Sequence, residues 1–333
     1  MAEEELEELE SPLYEHHRMS VDGGQEPLRI DRYLQGHLSG VSRNKIQAAA
    51  KAGCIMVGGR AVKPNYRVKP FDQISILLPE PPHEFEMLPE PIELPFVYED
   101  NDVIVIDKPA GLVVHPGVGN WTGTLVNGLL YHFRNQQSEP LLVHRIDKDT
   151  SGLIVVAKNE DAQAVLARQF FDHTIVRRYR ALVWGDFKED CGTIVGNLAR
   201  SPHDRRVMAV CDNEHGKHAV THWSVVERFG YVTLVECRLE TGRTHQIRAH
   251  MRHIGHPLFN DASYGGNVIL KGTTFSRYRQ FVENCFEQLP RQALHAMTLG
   301  FEHPADGRHV LFESQLPPDF EGCLERWRKY TNQ

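Results

Sequence analysis

The spacing of apolar positions divides the chain into a short, mostly helical opening and a longer strand-rich remainder. From Leu28 onward, Ile30, Tyr33, Leu34 and Leu38 recur at intervals of three and four, which predicts a helix with Asp31 as its cap. A second helix is predicted over 42–52, with Ser42 as N-cap, Ile46, Ala49 and Ala50 on the buried side and Gly53 closing it. Residues 55–62, with Gly58-Gly59 at the centre, predict a small hairpin, and 73–78 a further strand. Six prolines between 79 and 95 leave no room for a regular element.

Beyond Phe96 the runs 103–106, 112–114, 153–157, 179–184, 222–227 and 231–239 read as strands, and 125–133, 161–171 and 244–253 as helices. The later strands follow one another closely, which favours an antiparallel or mixed sheet with inserted helices, an α+β fold. Residues 267–290 are polar and aromatic without a clear period and read as an insertion. The predicted organisation is therefore a tail (1–26), a small α/β-hairpin module (27–78), a Pro-rich linker (79–95) and a large domain (96–330).

Charge changes this picture at the front of the chain. The formal net charge is −7, yet residues 1–26 carry nine acidic groups against Arg18, while residues 28–70 carry nine Lys/Arg against Asp31. An acidic tail, expected to be disordered, thus masks a basic module. Arg43, Lys45, Arg60, Lys63, Arg67 and Lys69 cannot all be buried in so small a unit, and phosphates are the natural partner of such a surface. The six cysteines are widely spaced with no CxxC pair, and no apolar run approaches membrane-spanning length, so the expectation is a cytoplasmic protein without a disulfide framework or zinc ribbon.

Candidate chemistry concentrates in residues 144–152, His-Arg-Ile-Asp-Lys-Asp-Thr-Ser-Gly, a polar loop between the apolar runs 141–143 and 153–156. Asp147 is the outstanding carboxylate, with Thr150-Ser151-Gly152 available to fix the loop and point it outward. A second cluster, 241–250, contains Thr244 as a possible helix cap and presents Arg243, His245 and Arg248 to an anion, either a phosphate or a partner carboxylate. In 177–184, alternation puts Tyr179, Ala181 and Val183 on one strand face, where tyrosine is either core or a surface on which a base stacks. His245, His250, His253 and His256 lack interleaved acids and a zinc-ligand pattern, so no metal is expected.

In order, Leu-Arg-Ile-Asp-Arg-Tyr-Leu, Ser-Arg-Asn-Lys-Ile-Gln, Val-Gly-Gly-Arg and Val-Lys-Pro-Phe-Asp-Gln-Ile resemble the S4 RNA-binding domain. The 144–152 loop, the 241–250 block, His256-Pro257-Leu258, Asp261 with Tyr264-Gly265-Gly266, and Gln292-Ala293-Leu294-His295-Ala296 resemble the RluA-type pseudouridine synthases, with Ile146 replacing the usual leucine. The resemblance implies isomerisation of uridine in RNA without a cofactor. By that match Asp147 is the essential aspartate, acting as nucleophile at the sugar or as base at C2′. Arg248 is expected to pair with it, and Tyr179 to stack on the uracil and help remove the C5 proton. Arg145 is expected either to fill the gap left by a flipped nucleotide or to clamp a phosphate. His144, Thr150, Arg243 and His245, with Arg43, Lys45, Arg60 and Lys63 of the small module, are expected to meet RNA.

The S4-like module favours ribosomal RNA, free or in a pre-ribosomal particle, over transfer RNA, and a monomer is expected. The competing classes are a non-catalytic RNA-binding assembly factor, which would not need Asp147, and a glycosidase or metal-dependent nuclease, which would need a second placed carboxylate or a ligand set.

Overall fold

The computed structural model describes residues 14–38, 41, 43–78, 87–117, 120–204, 206–211 and 216–332. Two compact units are present, with the boundary between residues 86 and 87.

The first unit contains β1 (Tyr14–Ser20), α1 (Ile30–His37), α2 (Arg43–Lys51), β2 (Ile55–Val57), β3 (Arg60–Ala61) and β4 (Gln73–Leu78). Its antiparallel sheet has the order β1-β4-β2-β3. Ile30, Leu34, Ile46, Ile55, Val68 and Ile74 form the core between helices and sheet. Gly58 and Gly59 both have positive φ, 55° and 79°, as a tight hairpin turn between β2 and β3 requires.

Two expectations fail here. Residues 14–20 belong to a strand, not to a disordered tail; Tyr-Glu-His-His-Arg-Met-Ser shows no apolar alternation because the backbone ladder to β4 holds it. Residues 1–13 of that expected tail lie outside the described residues. Asp31 does not cap α1, whose N-cap position is Arg29. It is fully buried in the first turn, where Arg29, Arg43 and Gln47 donate to its carboxylate, and these bonds hold it below the usual carboxylate range against the opposing effect of burial. The expected cap at Ser42 lies outside the described residues.

Residues 79–86 of the expected linker lie outside the described residues; residues 87–95 form no regular element but pack on the second unit. Asn127 donates to the Leu88 carbonyl at 2.8 Å, and Ile92 and Leu94 lie so close to Gly128 that a Cβ there would meet both at 3.1 Å.

The second unit runs β5 (Phe96–Glu99), β6 (Val103–Lys108), α3 (Leu125–Phe133), β7 (Leu141–Leu142), β8 (Ser151–Ala157), α4 (Glu160–Phe171), β9 (Val176–Trp184), β10 (Cys191–Arg200), β11 (Met208–Cys211), β12 (Lys217–Arg228), β13 (Val232–Leu239), α5 (Gln246–His253), α6 (Ser276–Gln288), β14 (Leu294–Glu302), β15 (His309–Glu313) and α7 (Pro318–Thr331). One mixed sheet has the order β11-β10-β12-β13-β9-β14-β8-β6-β5, with β7 beside β8 and β15 beside β14. Its β8–β14 pair is parallel and the other described pairs are antiparallel, consistent with the α+β expectation.

The strand expected at 112–114 is absent; only Val113 makes a bridge, to Thr124. Nor is 267–290 a mere insertion. It contains α6, whose Tyr278, Val282 and Cys285, followed by Leu289, pack with Phe320, Cys323, Leu324 and Trp327 of α7. Those positions are spaced four, three and four apart, a helical period hidden among the polar and aromatic residues around it. Among the described residues no helix is long and apolar enough to cross a membrane.

Candidate active site

The 144–152 loop is the connection of a hairpin. β7 and β8 pair through Leu141↔Ala157 and Leu142↔Val156, so the polar residues between them leave the sheet together. The loop is held from below by its carbonyls. The fully buried Lys108 ammonium donates to the carbonyls of Pro109, Leu112 and Lys148 at 2.8–2.9 Å, and Arg291 Nη1 donates to that of Asp149 at 3.0 Å. Burial pushes Lys108 down to about 7, opposed by the nearby Asp149 and Asp147 charges. The signal for Lys108 was legible: it continues the buried face of Ile104 and Ile106 at the end of β6. At the far end of the loop, Gly152 has φ +109°, and a Cβ there would lie 2.2 Å from the Ala296 carbonyl oxygen.

Asp147 emerges from this frame with its side chain 24% exposed. Arg248 Nη1 donates to its Oδ2 at 3.0 Å, so the expected pairing is present. The rest of that guanidinium is committed elsewhere: Nε and Nη2 donate to Asp261 Oδ2 and Oδ1 at 2.7 and 2.8 Å. Asp261 is buried and also accepts from the Ser263 and Tyr264 amides. The two carboxylates raise the Arg248 pKa above its ordinary value although burial opposes this, so the guanidinium stays charged. Its carbon lies 4.9 Å from the Tyr264 ring centroid.

The start of α5 differs from expectation. Thr244 does not cap it; His245 occupies the N-cap position with φ 53° and no side-chain cap bond. Gln246 ties the turn instead, its Oε1 accepting from the Arg243 amide and the Thr241 hydroxyl. The left-handed turn places His245 Nε2 3.9 Å from Asp147 Oδ1, with Nδ1 3.1 Å from the Tyr264 hydroxyl. Burial, helped by Arg248, lowers the His245 pKa despite the Asp147 charge.

These segments line one cleft of about 830 Å³ that brings together Arg145, Asp147, Tyr179, Arg243, His245 and Arg248. Tyr179 lies on β9 between Cys237 of β13 and Ala296 of β14. Burial raises its pKa, so the phenol is neutral near pH 7. Arg145 is exposed at the rim, and Arg243 is anchored by Nε to the His218 carbonyl at 3.0 Å.

Two expected RNA contacts, His144 and Thr150, line this cleft and also hold the loop. His144 accepts the Val155 amide at Nε2, 3.0 Å, and stacks on Phe170; burial drives it down to about 3. Thr150 is buried beside Gln292 and gives its amide to the Asp147 carbonyl. Both shape the loop. In the small unit Lys45, Arg60 and Lys63 are exposed, whereas Arg43 is committed to the buried Asp31. His250 contacts Thr221, and His256 contacts the Trp184 carbonyl and stacks on Phe187. Among the described residues no group of three or more His, Cys, Asp or Glu is placed to hold a metal ion.

A basic cleft built around one arginine-paired aspartate, in a chain that also carries a separate module with exposed cations, fits an enzyme that works on RNA. Residues 102–253 match the family model for RNA pseudouridylate synthase, and residues 28–74 that for the S4 domain. An RNA pseudouridine synthase of Chlorobaculum parvum is 46% identical over 319 residues, covering 93% of this chain and 97% of its own. Ribosomal large subunit pseudouridine synthase D of Zymomonas mobilis is 42% identical over 308 residues, covering 88% and 92%. The solved structure of human RNA pseudouridylate synthase domain containing 1 superimposes with a TM-score of 0.53 at 25% identity, over 72% of this chain and 95% of that one. The chain belongs to the RNA pseudouridylate synthase family and carries an S4 domain in front of the catalytic fold.

Proposed function

We propose that this enzyme isomerises specific uridines of large-subunit ribosomal RNA, with Asp147 as the one carboxylate essential to the chemistry. The observation that carries this is the Asp147–Arg248 pair in a cleft shared with Tyr179. The ribosomal assignment is supported by the relatives named large-subunit synthase D, at 42–44% identity, and by the S4 domain.

Conversion of uridine to pseudouridine breaks the N1–C1′ bond, turns the uracil, joins C5 to C1′ and removes the proton from C5. Asp147 faces the cleft as the only carboxylate among its described lining residues and acts on the sugar, at C1′ or C2′. Arg248 fixes its direction. The neutral Tyr179 ring lies against the base, and its hydroxyl relays the C5 proton. Since C1′ is inaccessible inside a helix, the target nucleotide is flipped out, and the exposed Arg145 guanidinium fills the gap it leaves.

Mapping pseudouridines in total RNA from cells with and without the protein tests the assignment. Sites in large-subunit RNA should disappear and return with the wild-type protein but not with Asp147→Asn. Loss confined to transfer RNA would redirect the substrate, and no lost site would overturn the proposal.

A further inference from the structure

Arg177 is a buried cation in the cleft for which neither the fold nor the chemistry above supplies an anion. It is 6% exposed and lines the same cavity as Asp147. Its guanidinium lies against Gly242, where a Cβ would come within 2.5 Å of Nη1, and 5.3 Å from the Phe170 ring centroid. Its hydrogen bonding is sparse: Nη2 donates to the Glu240 carbonyl at 3.4 Å, and Nε is buried without a partner. No Asp or Glu pairs with it among the described residues, in contrast to the buried Arg248 and Arg291, each of which holds a carboxylate bidentately. A buried, underpaired guanidinium carries a desolvation cost that a bound anion offsets.

Its position specifies which anion. Arg177 and Tyr179 are two residues apart on β9, so they share a face and stand about 7 Å apart along the strand. With the uracil against Tyr179 and its sugar at Asp147, the next anionic group within reach is a phosphodiester adjoining the flipped nucleotide. We propose that Arg177, backed by Gly242, is the binding site for a phosphate flanking the target uridine and thereby sets where the sugar sits relative to Asp147. The inference rests on the catalytic reading above and adds a residue to it. Gly242 accordingly leaves the room that Arg177 Nη1 occupies against the backbone, which a Cβ would take.

The test uses RNA with tritium at C5 of the target uridine, released as C5 bonds to the sugar, and replaces each flanking phosphate in turn by an uncharged methylphosphonate. At one position the wild type should lose about tenfold or more in kcat/KM. Arg177→Gln should lose a similar factor on intact RNA and nothing further at that position, while Arg177→Lys recovers part of the loss. Arg177→Gln should also flatten the slope of log affinity against log salt by about 0.7. Losses that multiply at every position, with an unchanged salt slope, would show Arg177 to be a packing residue. Thermal melts check folding; if the glutamine variant is unstable, the lysine variant carries the same comparison. A wild type that releases no label from RNA defeats the catalytic reading, and the salt slope then decides Arg177 by itself.

Discussion

Arg248 gives two nitrogens to Asp261 and only one to Asp147. The bidentate side fixes the plane of the guanidinium, and the single bond then fixes the direction of Asp147. Asp261→Asn should therefore lower kcat by about 10- to 100-fold with little change in KM, because a charge-assisted contact is lost from the positioning of Asp147 rather than from RNA binding. Arg248→Lys should do at least as much, since an ammonium cannot span both partners. Steady-state kinetics decide this; a change confined to KM would place Arg248 and Asp261 in binding alone.

Tyr179→Phe keeps the ring and removes the hydroxyl. Binding of RNA should be retained while product formation falls by about 100-fold or more. Single-turnover measurement beside an affinity titration reads the two separately, and normal turnover would remove the hydroxyl from the mechanism.

Lys108 gives a pH signature. Its folded pKa, about 7, lies below its ordinary 10.5. Between those values the unfolded chain binds the proton that the folded chain releases, so stability rises with pH; below about 7 both states are protonated and the full cost of burying the ammonium is present. The difference in unfolding free energy between wild type and Lys108→Met should therefore shift by a few kcal/mol in favour of the wild type from pH 7 to 10. Urea titrations along that range measure it, with a flat difference as the contrary result.

Gly152→Ala combines a strained φ with a Cβ driven into the Ala296 carbonyl. The expected cost is on the order of several kcal/mol, seen as a large fall in Tm or as insoluble protein. A melting curve matching wild type would mean that β8 and β14 separate easily.

Local pattern made much of this legible. The apolar runs of β6 and β8 delimit themselves, the alternation in β9 puts Tyr179 on the same face as Ala181 and Val183, and the polar density of 144–152 marks the loop. What escaped has non-local causes. β1 is held by its ladder to β4 and has no side-chain pattern. The bonds from Arg291 to Asp149 and from Arg248 to Asp147 join residues more than one hundred apart, and the commitment of Arg43 to Asp31 joins two helices. Thr244 looked like a cap because spacing cannot reveal that His245 adopts a left-handed turn.

The aspartate loop is completed by segments made much later in the chain. Arg291, Gln292 and His295 reach back to Asp149, Thr150 and Ser151, and Asp319 at the start of α7 holds Arg291 in turn. A nascent polypeptide emerging from the ribosome has Asp147, Tyr179 and Arg248 well before it has these braces. The frame of the Asp147 loop is therefore complete only once the last strands and the final helix have been synthesised and folded.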